Sequence, residues 1–346
     1  AVENVSITGT NEFEKDTLIS AKTIDASVNL FSAINGKNVK VYGVYLESPR
    51  IHALVNKDGK ANWDISKQSE TTDGSVASDN TPSEFKMNLR NYKITDGYIL
   101  YKDESSNITA EISGLEHEGS GDFTEDIFTL ATKTKAAAIS FNYESVPYLI
   151  NAKTDVATDI QIDNKTNTYT FKTENIQLNN LKLNVDGFFQ LVNDSTYKMD
   201  IKFKTPSNEF KDILSMIPAV YKQDFDKIKT SGKASFDGFV TGTYSNQQMP
   251  AYNVNLAVSD GFFQYPDLPQ PVKNIQLAIH VSNADGKMDN TVVNVSKGHI
   301  EMGDEPFDFR FLFKNPETKQ YIDAIAKGKL DLANVSKFIK LDPGTR

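Results

Sequence analysis

Cysteine is absent from this 346-residue chain, which excludes thiolate nucleophiles, iron–sulfur clusters, cysteine-type zinc sites and disulfides together. Histidine is scarce. His52, His117, His280 and His299 are the full set, and none stands at the short spacing that puts two imidazoles on one metal. Arginine is scarcer still for the length: Arg50, Arg90, Arg310 and Arg346 leave 33 of the 37 basic residues as lysine, spread among 46 acids for a net charge of -9. A nucleic-acid footprint needs clustered basic residues on one face, so no nucleic-acid partner is expected. No run approaches the roughly 18 apolar residues of a membrane-spanning helix. The longest, such as 214–221, are less than half that, so the chain reads as soluble. It also lacks a P-loop, a G-x-G-x-x-G and a G-x-S-x-G nucleophile elbow, the nearest text to the last being Gly119-Ser120-Gly121, which reads as a loop.

What is present in quantity is period-2 alternation, the mark of strands with one apolar and one wet face. Tyr197, Met199, Ile201 and Phe203 interleave with Lys198, Asp200, Lys202 and Lys204. Leu181, Leu183, Val185, Phe189 and Leu191 form the expected hairpin partner, with Asn193-Asp194-Ser195 as the turn. The same rhythm returns at Tyr252 to Val258, Ile275 to Val281 and Phe307 to Phe313. Helical spacing is rare. Its best instance is Pro206 to Lys222, where Phe210, Ile213, Leu214 and Ile217 share a face and Pro218 should stop or kink the helix. Shorter candidates are Val28 to Ile34, Ser145 to Ala152, Thr318 to Ala326 and Ala333 to Ile339.

An eight-residue pattern occurs twice, as Asp96-Gly97-Tyr98 through Tyr101 and Asp103, and as Asp260-Gly261-Phe262 through Tyr265 and Asp267. Alternating strands follow both copies, at Ile108-Ala110-Ile112 and Ile275-Leu277-Ile279, which predicts a duplicated sheet segment. The glycine after the aspartate suits a turn or bulge because it reaches positive φ freely. Residues 66–84, rich in Ser, Thr, Asp and Asn, read as a flexible linker. The expected division is therefore a unit at 1–65, the linker, a β segment at 85–205, and a helix plus a second β segment at 206–346.

Candidate chemistry is thin. Asn56-Lys57-Asp58-Gly59 offers too few carboxylates for a calcium loop and reads as a hairpin turn leading to a strand at Trp63, the only tryptophan. Asp122, Glu125 and Asp126 crowd a loop without the setting of a hydrolytic pair. Phe188-Phe189 and Phe262-Phe263 could stack on sugars, yet in a regular strand one of each pair turns inward. No catalytic residue, metal or cofactor is expected.

Pro49-Arg50-Ile51 followed by Asp58-Gly59-Lys60-Ala61-Asn62-Trp63-Asp64 resembles the N-terminal signature of the AsmA family, and Val5 to Gly9 with Asp16-Thr17-Leu18 is similar to its opening segment. The stretch from Ile217-Pro218-Ala219 through Gly232, Asp260-Gly261-Phe262 and Tyr265 to Pro269, to Gly328-Lys329-Leu330-Asp331-Leu332, looks like the AsmA-like C-terminal region. The resemblance implies a non-enzymatic periplasmic protein of outer-membrane biogenesis and envelope maintenance. It would be held at the inner membrane by an anchor that this chain lacks. It also implies a mainly β fold, a long curved and mostly antiparallel sheet with internal repeats, groove-like or an open sandwich, plus a few short helices. Phospholipid or another envelope lipid is the implied partner. The candidate groove residues are Leu183, Val185, Phe189, Met199, Ile201 and Phe203. The rivals are a scaffold that binds outer-membrane protein precursors through sheet edges, and a glycan-binding or glycan-hydrolysing protein. Periodicity alone does not separate an open groove from a closed core, since both need the same alternation.

Overall fold

The computed structural model describes residues 1–28, 41–65, 90–144, 146–193, 195–206, 209–217, 227–245, 248–266, 270–303 and 305–329. The segment read as a linker, the helix candidate at 333–339 and most of that at 28–34 lie outside them. Two compact units divide the chain, 1–159 and 160–346.

The first unit holds β1 (Val2–Thr8), β2 (Thr17–Val28), β3 (Val41–Glu47), β4 (Arg50–Val55), β5 (Asn91–Asp103), β6 (Ile108–Ser120), β7 (Ile127–Tyr143) and most of β8 (Val146–Asp163). Strand β1 pairs antiparallel with β2, and β5, β6 and β7 form an antiparallel meander. Between them β3 and β4 act as one interrupted strand, each antiparallel to β2 and parallel to β5. Parallel neighbours cannot be joined by a tight hairpin, and residues 56–90 separate β4 from β5 in the sequence.

The interruption falls at Ser48-Pro49, where Ser48 takes φ +48°. Opposite it Asp96 takes φ +49°, and the two irregularities are clamped by side chains. Arg50 donates from Nη2 to Asp96 Oδ2 at 2.8 Å and from Nη1 to the Asp96 carbonyl, while Ser48 Oγ reaches the same carboxylate at 2.8 Å. Arg50 and then Ser48 thereby hold the Asp96 carboxyl below its ordinary range.

The second unit is a meander of β9 (Thr168–Leu178), β10 (Leu181–Asn193), β11 (Thr196–Lys204), β12 (Lys229–Tyr244), β13 (Ala251–Gln264), β14 (Val272–Asn283), β15 (Val292–Met302), β16 (Glu305–Lys314) and β17 (Tyr321–Gly328). Every consecutive pair is antiparallel. A mainly β, mostly antiparallel fold with few helices is thus what the alternation encodes, and the 193–195 hairpin falls where the turn residues put it.

Helix α1 spans only Phe210–Leu214. The longer reading fails at both ends: Pro206 lies before the helix in an exposed bend, and the helix stops at Leu214, ahead of Pro218. Its Phe210 and Leu214 pack with Ile228, Ala234, Val258, Tyr265, Val272 and Ile275 in a buried cluster. Two other helix candidates are strands. Of the first, Val146 to Ala152 lies in β8, with Ser145 outside the described residues, and Thr318 to Ala326 lies mostly in β17, because neighbouring strands supply backbone partners that outweigh weak helical spacing over one or two turns. Gly119 and Ser120 are the last residues of β6 rather than a loop, and the Tyr92 ring occupies the place of a Cβ at Gly119.

The duplicated pattern is a duplicated bulge. In both copies the aspartate, not the glycine, takes positive φ, +49° at Asp96 and +53° at Asp260, and the ladder to the next strand shifts there. The glycine is required by crowding instead: a Cβ at Gly97 would lie 2.9 Å from Ile94 Cγ2, and one at Gly261 2.9 Å from Ile275 Cβ. The following strands correspond in a register other than the sequence match. Gly97 faces Leu115 and Gly261 faces Ile275, both buried, so Leu115 rather than Ile108 is the counterpart of Ile275.

Candidate functional site

Hairpin β10–β11 brings the six candidate residues onto one face. Val185 pairs with Phe203, Phe189 with Met199, and Gly187 with Ile201, while Leu183 faces Ile176 of β9. Since side chains alternate, Lys198, Lys202 and Lys204 stand on the opposite face and are exposed. Phe188 and Phe189 divide in the same way, Phe188 opposite Asp200 and Phe189 opposite Met199.

Register carries this apolar face across the unit. From Val185 and Phe203 the row continues through Gly238, Val254, Val281, Val293, Phe313 and Ile322. A parallel row runs through Phe236, Leu256, Ile279, Val295 and Phe311. The bulge between Ala278 and Ile279 keeps β15 in phase, and Gly298 leaves room for the Phe309 ring. Aromatic contacts stiffen the surface, with Phe189 and Tyr197 stacked at 5.5 Å and Phe203 and Phe236 tilted at 5.2 Å.

Fractional exposure separates a covered part of this face from an uncovered one. Val258, in contact with the α1 cluster, is 5% exposed. Away from α1, the side chains of the two rows from Val185 to Phe313 and from Phe236 to Phe311 are half-buried, flanked by their neighbours in the sheet but none fully buried. Among the described elements, α1 packs on β12 and β10, and the apolar layer closes only there. The continuation beyond β11 was present in the sequence as separate alternating runs; the register that joins them was not.

The opposite face is polar. Asn255 Nδ2 donates to Asp237 Oδ2 at 2.9 Å and to Asn253 Oδ1 at 3.0 Å, and Asn255 Oδ1 lies 2.8 Å from His280 Nδ1. The four histidines sit on four different strands, and among the described residues no cluster of three or more potential ligands could hold a metal ion. In the 122–126 loop, Asp122 accepts from the Thr124 hydroxyl at 2.6 Å and from its amide at 3.1 Å, bonds that lower its carboxyl. They make it a turn cap. His117 lies between Tyr92 Oη at 2.9 Å and Thr134 Oγ1 at 2.8 Å; burial lowers its pKa and raises that of Tyr92.

The signature loop of the first unit is built around Asn62. This side chain is 1% exposed; its Oδ1 accepts from the Leu54 amide at 2.9 Å and its Nδ2 donates to the His52 carbonyl at 2.7 Å, so a side-chain amide extends the ladder of β4. Asp58-Gly59 forms the expected turn, with Gly59 at φ +77°, but the return limb makes only a single bridge, Val55 to Ala61. No strand forms at Trp63, because Asn62 takes up the partners that such a strand would need. Replacing Asn62 by alanine leaves two partly buried backbone groups without this partner and should cost about 1–3 kcal/mol, measured by chemical denaturation.

A mostly antiparallel β protein whose second unit carries an amphipathic sheet, polar on one face and, among the described residues, apolar and largely uncovered on the other, is what these observations define. In comparison with known families, residues 1–178 match the AsmA family. That is just over half of the chain, and the protein belongs to the AsmA family. Membership carries a general role in the cell envelope connected with outer-membrane biogenesis, in a family not known for enzymatic activity. No curated protein and no solved structure matches the chain. Among the described residues no helix is long and apolar enough to cross a membrane.

Proposed function

We propose that this is a non-enzymatic periplasmic protein that shields phospholipid acyl chains on the apolar face of β9–β17, holding or passing lipid during envelope maintenance. The observation that carries this reading is the continuous apolar surface from Val185 and Phe203 to Phe313, half-buried and, among the described residues, closed over only at α1. Covering it with hydrocarbon gains roughly 0.8 kcal/mol per buried methylene and needs no specific polar group. A bilayer offers the same methylenes nearly the same burial, so exchange between membrane and sheet is close to balanced. That is the energetic condition for reversible transfer. The lysines of the polar face stay in water throughout, as alternation requires.

The direct test is the lipid content of the purified protein. Phospholipid should copurify and be released on denaturation, as read by mass spectrometry, and delipidated protein should bind a fluorescent phospholipid. Protein that carries no lipid and takes none up, yet captures strand-forming peptides of outer-membrane proteins, would replace this reading with edge-strand scaffolding.

A further inference from the structure

We propose that the recess beside Trp63 in the first unit is a saccharide subsite, shaped for an N-acetylhexosamine residue. In the signature Asn62 turns inward and its neighbour turns out, so Trp63 is 45% exposed, with its ring tilted against that of Tyr101 at 6.3 Å. With Thr10, Glu12, Phe13, Lys60 and Asp64 it lines a recess of about 730 Å³, within the size range of small-molecule sites.

The two walls are cross-tied. Glu12 Oε1 accepts from Asn56 Nδ2 at 3.0 Å, Glu12 Oε2 lies 3.1 Å from Lys60 Nζ, and Thr10 Oγ1 donates to the Asp64 carbonyl at 3.5 Å. Asn56 in turn accepts the Asp58 and Lys60 amides at 3.0 and 2.9 Å, which fixes the turn carrying Lys60. A recess held this way loses little entropy on binding.

The lining selects the ligand class. Hydrocarbon would desolvate Glu12, Asp64 and Lys60 without replacing their hydrogen bonds. A phosphate would meet two carboxylates for one ammonium. A pyranose ring offers what the lining lacks: an apolar C–H face for the indole, and hydroxyls that both donate and accept at the rim. An acetamido group adds an N–H for a carboxylate, a carbonyl for Lys60 and a methyl for the Phe13 side. The Glu12–Lys60 pair is exposed, and such pairs contribute little by themselves, so re-pairing with a ligand is cheap.

Trp63 is the only tryptophan, so tryptophan emission reports the surroundings of this one side chain. Titrating the full chain with chitotriose should shift and saturate that emission, whereas maltotriose should bind at least about tenfold more weakly. By calorimetry, Trp63→Ala should abolish chitotriose binding and Trp63→Tyr should retain it; the tyrosine variant keeps an aromatic ring beside Tyr101 and should melt near the wild-type temperature, and circular dichroism should show the alanine variant folded. An unchanged spectrum up to about 10 mM chitotriose, equal binding of the two sugars, or full binding by Trp63→Ala would overturn the assignment.

Discussion

Replacing Val258 by aspartate should unfold the second unit's sheet. Val258 sits under α1 with Phe210, Leu214 and Ile275, and its cross-strand partners are Ala234 and Leu277. The cluster neighbours, apolar apart from the Tyr265 hydroxyl, supply no cation for a carboxylate there, so it must be buried without a counter-charge or drive the helix away. The expected cost is about 4 kcal/mol or more, a large share of the roughly 5–15 kcal/mol that stabilises a typical domain. Thermal unfolding by circular dichroism should show the loss of most of the native transition. A variant that melts like wild type would mean that α1 does not close this part of the face.

The same substitution at Ile201 should do the opposite. Ile201 lies on the same face but outside the buried cluster, opposite Gly187 and Val240 and half-buried. Its aspartate can reach water, so the stability cost should stay near about 1 kcal/mol, the scale of strand preference and lost cross-strand contact. Phospholipid binding should fall at least tenfold, because the charge lies where acyl chains would run and desolvating it costs more than about 1.4 kcal/mol. Melting and fluorescent-phospholipid titration, run on one preparation, give both numbers. Collapse of the fold would show a packed core at Ile201, and unchanged binding in a folded variant would remove this part of the sheet from the lipid path.

The contrast between the two positions shows what was legible in the sequence. Alternation identified β10, β11, β13, β14 and β16 because a two-residue period leaves few other structures possible. It placed Ile201 and Val258 on apolar faces alike, and nothing in their immediate sequence says that one is covered and the other not. That difference depends on where a five-residue helix lands, and helical spacing overstated that helix while inventing two others inside β8 and β17. Asp96 and Asp260 were visible as a repeat, yet the division of labour, aspartate for the left-handed backbone and glycine for the close approach, needed the register. At the signature, Asn62 was legible as part of a motif but not as a buried strand mimic, since its role depends on Leu54 and His52 eight and ten residues earlier.

The central claim, that one face of the second unit's sheet meets hydrocarbon and the other meets water, is tested most directly by placing a photo-crosslinking residue at each position from Lys198 to Phe203 in turn. Delipidated protein is loaded with radiolabelled phospholipid and irradiated. The expected labelling has a period of two: strong lipid adducts from positions 199, 201 and 203, and background labelling from 198, 200 and 202. Equal labelling at all six positions, or adducts confined to the lysine-bearing face, would contradict it.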